Sequence, residues 1–196
     1  MIDHLIHVYK KGSPPFRSLS ALSDAEAIRL MRELYVEGAV FWERFKDPGE
    51  YLQERRQVEQ WLRQAFIAKG GAPHDPYPIY MMLGRTKWLM SAADPVTLAT
   101  TAEILTPLSL FDEREISFTY PDSMVSAMMA ARQDPECYLP EYHGQVFTLS
   151  EIRSIVETFG LPGEIWGTTL PGHLANYIEA QVWNREVLLQ FTLGAG

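Results

Sequence analysis

Residues 23–50 read SDAEAIRLMRELYVEGAVFWERFKDPGE, and how this stretch folds decides the class of the chain. Ser23 and Glu26 have the spacing of a capping box, in which a hydroxyl and a carboxylate each satisfy a backbone N–H that the first helical turn leaves orphaned. From there Ile28, Met31, Tyr35, Gly38, Trp42 and Phe45 recur at intervals of three and four, the period of one helical face. That pattern predicts a helix running to about Lys46. Asp47-Pro48-Gly49-Glu50 repeats the capping arrangement, with Pro48 at the first helical position, where its missing N–H costs nothing. A second helix is expected to about Ala68, burying Tyr51, Val58, Trp61, Leu62, Ala65 and Phe66. Lys69 complements its C-terminal dipole and Gly70-Gly71 release the chain. So short a link predicts an antiparallel helical hairpin over residues 23–69.

Outside this window the periodicity changes. Leu5-Ile6-His7-Val8-Tyr9 is short, β-branched and aromatic, and reads as a strand. Ile79–Leu83 is a compact apolar run stopped by Gly84, and it reads as a buried strand. Glu103–Leu110 and Glu115–Tyr120 are further strands, with Pro107 placing an edge or a bend in the first. Asp122 or Ser123 caps a short helix through Met124, Val125, Met128 and Met129. Residues 133–146 are irregular. Thr148 and Glu151 open another capped helix to Phe159, with Phe147 and Ile152 as its hydrophobic staple and Gly160 at its end. Tyr177–Trp183 and Val187–Thr192, joined at Asn184-Arg185, are expected to form a terminal hairpin. Period two puts Tyr177, Glu179, Gln181 and Trp183 on one face, and Ile178, Ala180 and Val182 on the other. The expected architecture is α+β: one domain over residues 1–196, a mostly antiparallel sheet of about five to six strands beside an N-terminal helical hairpin.

Composition narrows the function classes. Across 196 residues, 46% are hydrophobic and 21% charged, a globular balance that excludes disordered and collagen-like chains. The net charge of −8 is uneven: residues 1–70 carry +1 and residues 71–196 carry −9, with only six cations among the latter. Such a surface argues against a nucleic-acid backbone as partner. No run approaches the ~20 apolar residues of a membrane span, and no basic n-region with an apolar core opens the chain. With Cys137 the single cysteine, no internal disulfide can form and a reducing cytoplasm is the expected compartment.

The phosphate-loop, dinucleotide, zincin and nucleophile-elbow motifs are all absent from the sequence, so any chemistry must come from scattered residues. His4 and His7 lie three apart, which on a strand turns them to opposite faces. His74, His143 and His173 are remote from them, and no metal site is expected. Cys137 sits among Glu136, Tyr138 and Glu141, carboxylates that would raise its pKa and argue against a nucleophile. His7, mid-strand between Leu5 and Tyr9, must find a partner if buried, as a structural hydrogen-bonder or a site residue. Phe118-Thr119-Tyr120-Pro121-Asp122-Ser123-Met124 delivers a strand end onto a helix start. Asp122 or Ser123 caps that helix there, or its free N–H groups meet an anion. Glu179 shares its face with two aromatics and is costly to bury unless partnered. It is either part of an exposed polar edge or the acid/base group of a cleft.

The chain as a whole resembles a bacterial family of unassigned function. Its order of segments also resembles the ADP-ribosyltransferase superfamily, in particular the DNA-targeting toxin branch. The residues that carry this are His7 in the first strand, Tyr80-Met81-Met82-Leu83-Gly84, Phe118 to Ser123, and Glu179 in the last strand. The resemblance implies a split antiparallel sheet holding NAD in a cleft. His7 would then orient the cofactor, Glu179 would stabilise the developing oxocarbenium and align the acceptor, and Tyr80 or Tyr120 would stack on nicotinamide. Asp122 and Ser123 complete the candidate cofactor-binding set. Two other readings stand beside it. One is a cytoplasmic ligand-binding or protein-interaction domain, prompted by 12% aromatic residues and eight methionines. There the stripe of Trp42, Phe45, Trp61 and Phe66 would either seam the two helices or face a partner or a second copy of the chain. The other is an acidic mimic of a nucleic acid, prompted by the charge beyond residue 70.

Overall fold

The computed structural model describes residues 2–39, 42–85, 99–136, 138–162 and 177–194. Its strands are β1 His4–Lys10, β2 Ile79–Leu83, β3 Thr101–Pro107, β4 Ile116–Thr119 and β5 Glu179–Val182. Its α-helices are α1 Asp24–Leu34, α2 Pro48–Ala68, α3 Ser123–Arg132, α4 Leu149–Phe159 and α5 Arg185–Gly194. The strands form one antiparallel sheet in the order β3-β1-β2-β5-β4, and the fold is α+β. Pro107 ends β3, a position where a proline costs the sheet little.

Strand alternation gives the sheet two different faces. One carries Leu5, Ile79, Met81, Leu83, Ile116, Phe118, Ala180 and Val182, which pack with Met129 of α3 and with Leu149 and Ile152 of α4 in the main core. The other carries Ile6, Met82, Glu179, Gln181 and, just beyond β5, Trp183. Leu62 and Phe66 of α2 pack against Trp183 there, while Phe45 and Leu52 pack with Ala27 and Met31 of α1. The hairpin helices therefore cover the second face and leave a cleft at one end of it. Of their stripe, Phe45 and Phe66 are buried in two separate clusters, one toward α1 and one toward the sheet, while Trp42 and Trp61 are half-buried beside them.

The capping boxes at Ser23/Glu26 and Thr148/Glu151 are both formed. At Asp47 the side chain accepts from the Glu50 N–H at 3.3 Å. Two expectations need correction. The first helix stops at Leu34 instead of Lys46. Tyr35 takes extended backbone, its N–H closing on the Met31 carbonyl, and Gly38 sits at φ +72°, a left-handed conformation that glycine alone adopts without strain. The chain then returns as a short 3-10 turn, Glu43–Phe45, so the three–four spacing beyond Leu34 belongs to a folded-back segment. The second correction concerns Val187–Thr192, which lies in helix α5 and not in a strand. The Arg185 N–H at its start donates to Asp75 Oδ2 at 2.7 Å, a cap supplied from 110 residues away.

Gly144 supplies a test of packing at the α3 end of the core. Its φ is +75°, and a Cβ there would lie 2.7 Å from the Ala130 Cβ. Gly144→Ala is expected to lower stability by about 1–3 kcal/mol, measured by urea unfolding. A loss below a few tenths would show that this turn is free to shift.

Candidate functional site

The cleft begins where the sheet opens. β1 pairs with β3 along its whole length, from His4 opposite Pro107 to Lys10 opposite Thr101. Against β2 only Leu5↔Leu83 and Ile6↔Met82 are in register. Where that ladder stops, a side chain takes over. The His7 Nδ1–H donates to the Tyr80 carbonyl at 3.0 Å, and its Nε2 accepts from the Phe16 N–H at 3.0 Å. A carbonyl only accepts and an amide only donates, so the tautomer follows from the partners. Burial lowers the His7 pKa to about 4, against the opposing effect of the Tyr80 carbonyl, and the ring is neutral near pH 7. His7 thus borders the cleft with both nitrogens already engaged. Through these two bonds it braces β1, β2 and the loop at Phe16; the resemblance would have it orient a cofactor.

The cleft encloses about 220 Å³. Its floor is the second sheet face, Ile6, Tyr80, Met82 and Glu179, and its roof is the folded-back turn with Trp42, Arg44 and Phe45 plus Tyr51 and Arg55 of α2. Asp122, Ser123 and Tyr177 close one side. His7, Tyr80, Asp122, Ser123 and Glu179, drawn from four separate stretches of chain, border this one hollow. Tyr120 does not. It follows Thr119, which is in register with Glu179, so alternation turns Tyr120 into the main core. There it is fully buried, edge-on to Tyr142 at 5.9 Å and stacked beside His143 at 6.2 Å. Of the two tyrosines the resemblance offers for stacking, Tyr80 borders the cleft and Tyr120 packs in the core.

Glu179 is 6% exposed. Its Oε1 accepts from the Ser123 N–H at 3.0 Å and from Gln181 Nε2 at 3.1 Å. The helix N-terminus that was free to meet a ligand anion is therefore occupied by this carboxylate, and Asp122 caps the same helix by accepting from the Val125 N–H at 2.9 Å. Burial, and then the neighbouring Asp122 charge, push the Glu179 carboxyl up to about 7, while the Ser123 and Gln181 bonds oppose the shift. Gln181 is itself fully enclosed and belongs to a buried polar row with Ser117, Thr119 and Trp183.

Opposite the carboxylates stand two arginines that sequence reading passed over. Arg55 donates from Nε to Glu59 Oε1 at 3.0 Å and from Nη1 to the Tyr51 hydroxyl at 3.1 Å. Its guanidinium lies 4.3 Å from the Tyr80 ring centroid, in cation–π range. Burial works against the charge on Arg44 and Arg55, but their neighbours outweigh it: Tyr51, Tyr177 and Asp122 around Arg44, and Tyr51, Glu59 and Tyr80 around Arg55. Both stay cationic. Burial also raises the Tyr80 and Tyr177 hydroxyls well above the usual phenol range, so both remain protonated donors. A signal for this group does exist in the sequence: Tyr51, Arg55 and Glu59 recur at four-residue steps, the spacing of one polar row on a helix.

The remaining histidines lie elsewhere. His4 Nδ1 is 2.7 Å from Asp3, and His74 is 3.0 Å from Glu115. His143 is buried and accepts from the Leu139 N–H at 3.0 Å. Cys137 and His173 lie outside the described residues. Among the described residues, no group of three or more His, Cys, Asp or Glu side chains could hold a metal ion, and no helix is long and apolar enough to cross a membrane. Comparison with known proteins finds no match: no family model, no curated protein and no solved structure.

Proposed function

We propose that the cleft binds NAD or a related nucleotide and that the chain is an ADP-ribosyltransferase-like enzyme in which Glu179 is the catalytic carboxylate. In this reaction the bond between ribose C1′ and the nicotinamide nitrogen breaks, and its electron pair leaves with nicotinamide. Positive charge develops on the ribose, and water or an acceptor hydroxyl attacks C1′ while its proton passes to a base. A fixed, buried carboxylate stabilises that charge without reorganising and can accept the proton. Tyr80, which lines the cleft with the Arg55 guanidinium over its ring, supplies an aromatic group for a flat ring to pack beside. The arginines at the roof suit the anionic groups of a nucleotide.

The observation that carries this reading is Glu179 itself: a carboxylate buried at the floor of a hollow, pinned by two donors on one oxygen, its carboxyl pushed up to about 7 by burial and the Asp122 charge. Buried charges without a functional role are costly to keep. The split between β1 and β2 past Ile6 supports the same reading. A ligand-binding domain without turnover would use the same cleft, and one experiment separates the two. The protein is incubated with NAD⁺, nicotinamide release is followed chromatographically, and binding heat is measured in parallel. Heat and release support the enzyme, heat without release leaves a binding domain, and neither ends both readings for this nucleotide.

A further inference from the structure

The buried row beneath Glu179 has a direction that can be read from its chemistry. Trp183 Nε1 lies 2.9 Å from Ser117 Oγ, and an indole N–H can only donate. Ser117 therefore accepts from Trp183 and has its single hydroxyl proton free for Gln181 Oε1, 2.9 Å away. With its oxygen so occupied, the Gln181 amide must turn its NH₂ toward Thr119 Oγ1 at 3.0 Å and Glu179 Oε1 at 3.1 Å. No flip of the amide preserves these bonds, because a reversed Gln181 would set its nitrogen against the Ser117 proton and its oxygen against the carboxylate. Ser117 and Gln181 are fully buried, as is Trp183, so water offers no substitute partner. The donors run one way, from Trp183 through Ser117 and Gln181 to Glu179.

From this row we infer that Gln181 is a positioning residue for the Glu179 carboxylate, oriented by Ser117 and Trp183, and that it assigns any proton carried by Glu179 to Oε2. Oε1 already accepts from Gln181 and from the Ser123 N–H, which leaves Oε2 to exchange the proton. The inference rests on the reading of Glu179 as the catalytic carboxylate only for its kinetic consequence. The other charged and titratable groups around this carboxyl are Asp122 at the cap of α3, Tyr80 on β2, and Tyr177 just before β5. Arg44 faces Asp122 and Tyr177 from the roof. None of them belongs to the row, so a change in the row alters Glu179 while leaving their charges in place.

The test is Gln181→Met, which keeps the length of the side chain and removes the donor, with Ser117→Ala as a second variant that frees the amide to flip. Glutamate carboxyls are labelled with ¹³C, and the Glu179 signal is identified by its loss in Glu179→Gln. Losing a donor to the anion favours the neutral form, so the Glu179 midpoint should rise by about one pH unit in Gln181→Met and by less in Ser117→Ala. With NAD⁺ as substrate, kcat should fall about tenfold to a hundredfold while KM stays within about twofold, the pattern of a lost transition-state contact. A Glu179 midpoint unchanged in both folded variants would overturn the inference. If the wild-type protein releases no nicotinamide, the proposed activity fails while the ¹³C titration still decides the role of Gln181.

Discussion

Glu179→Gln is expected to abolish nicotinamide release from NAD⁺ and, at the same time, to make the protein more stable at neutral pH. The first effect should be a fall in kcat of about 10² to 10⁴, the range for removing a positioned charge or base. Binding of NAD⁺ should be retained within a few fold, because the amide oxygen can still accept from Ser123. The second effect follows from linkage. Burial and the Asp122 charge push the carboxyl up to about 7 in the folded chain from an ordinary value of 4.5, so between these pH values the folded state is expected to hold a proton that the unfolded state has lost. Stability must therefore fall as pH rises from about 4.5 through 7. The upward shift corresponds to a cost of about 3 kcal/mol above pH 7.

Glutamine carries no such cost, so the variant should match the wild type near pH 4 and exceed it at pH 8. His7 acts in the other direction: its pKa, lowered by burial to about 4, costs stability as pH falls through 6.5 toward 4. The difference between variant and wild type, measured by urea unfolding across pH 4 to 8, isolates Glu179 from that background. A difference that does not grow with pH would show that this carboxyl is not held in an unfavourable state. The same ionisation should appear in the rate, which is expected to rise about tenfold per pH unit below 7 and level above it.

Arg55→Ala should produce the largest loss of stability. Glu59 is fully buried and its Oε1 is held by Arg55 at 3.0 Å, while its Oε2 has no hydrogen-bond partner among the described residues. Removing the arginine leaves a buried carboxylate uncompensated, which typically costs about 3–5 kcal/mol. Arg55→Met with Glu59→Leu removes both charges and should recover most of that loss, since an apolar pair of similar volume needs no desolvation. The double variant is also the cleaner probe of the cleft. It keeps the fold while deleting the cation over Tyr80, so NAD⁺ affinity should drop even though unfolding midpoints return. A single variant within about 1 kcal/mol of the wild type would mean that water reaches Glu59 once the arginine is gone.

Much of the secondary structure could be read locally because its causes are local. A capping box joins residues three apart, and strand alternation is a property of a single extended segment. Ser23 with Glu26, Thr148 with Glu151 and the two faces of Tyr177–Trp183 therefore stand where the sequence puts them, and of the two caps it offers at Asp122 or Ser123 the structure takes Asp122. The helix that ends at Leu34 shows the limit of that reasoning. A spacing of three and four persists through Trp42 and Phe45, but those side chains satisfy it by packing back against α1 and α2. Likewise Val187–Thr192 could pass for a strand until Asp75, distant in sequence, caps the amide of Arg185.

The site divides in the same way. Composition and alternation determined that this chain has an acidic second part, a polar face on its last strand and a glutamate that would be costly to bury. Only the tertiary structure decided that this face is covered by the helical hairpin, that Arg44 and Arg55 arrive opposite Glu179, that Tyr120 turns into the core, and that His7 spends both nitrogens bracing the split between β1 and β2. The physical reason is that burial and charge pairing depend on what packs across from a residue, and most of the partners in question lie tens to more than a hundred positions away along the chain.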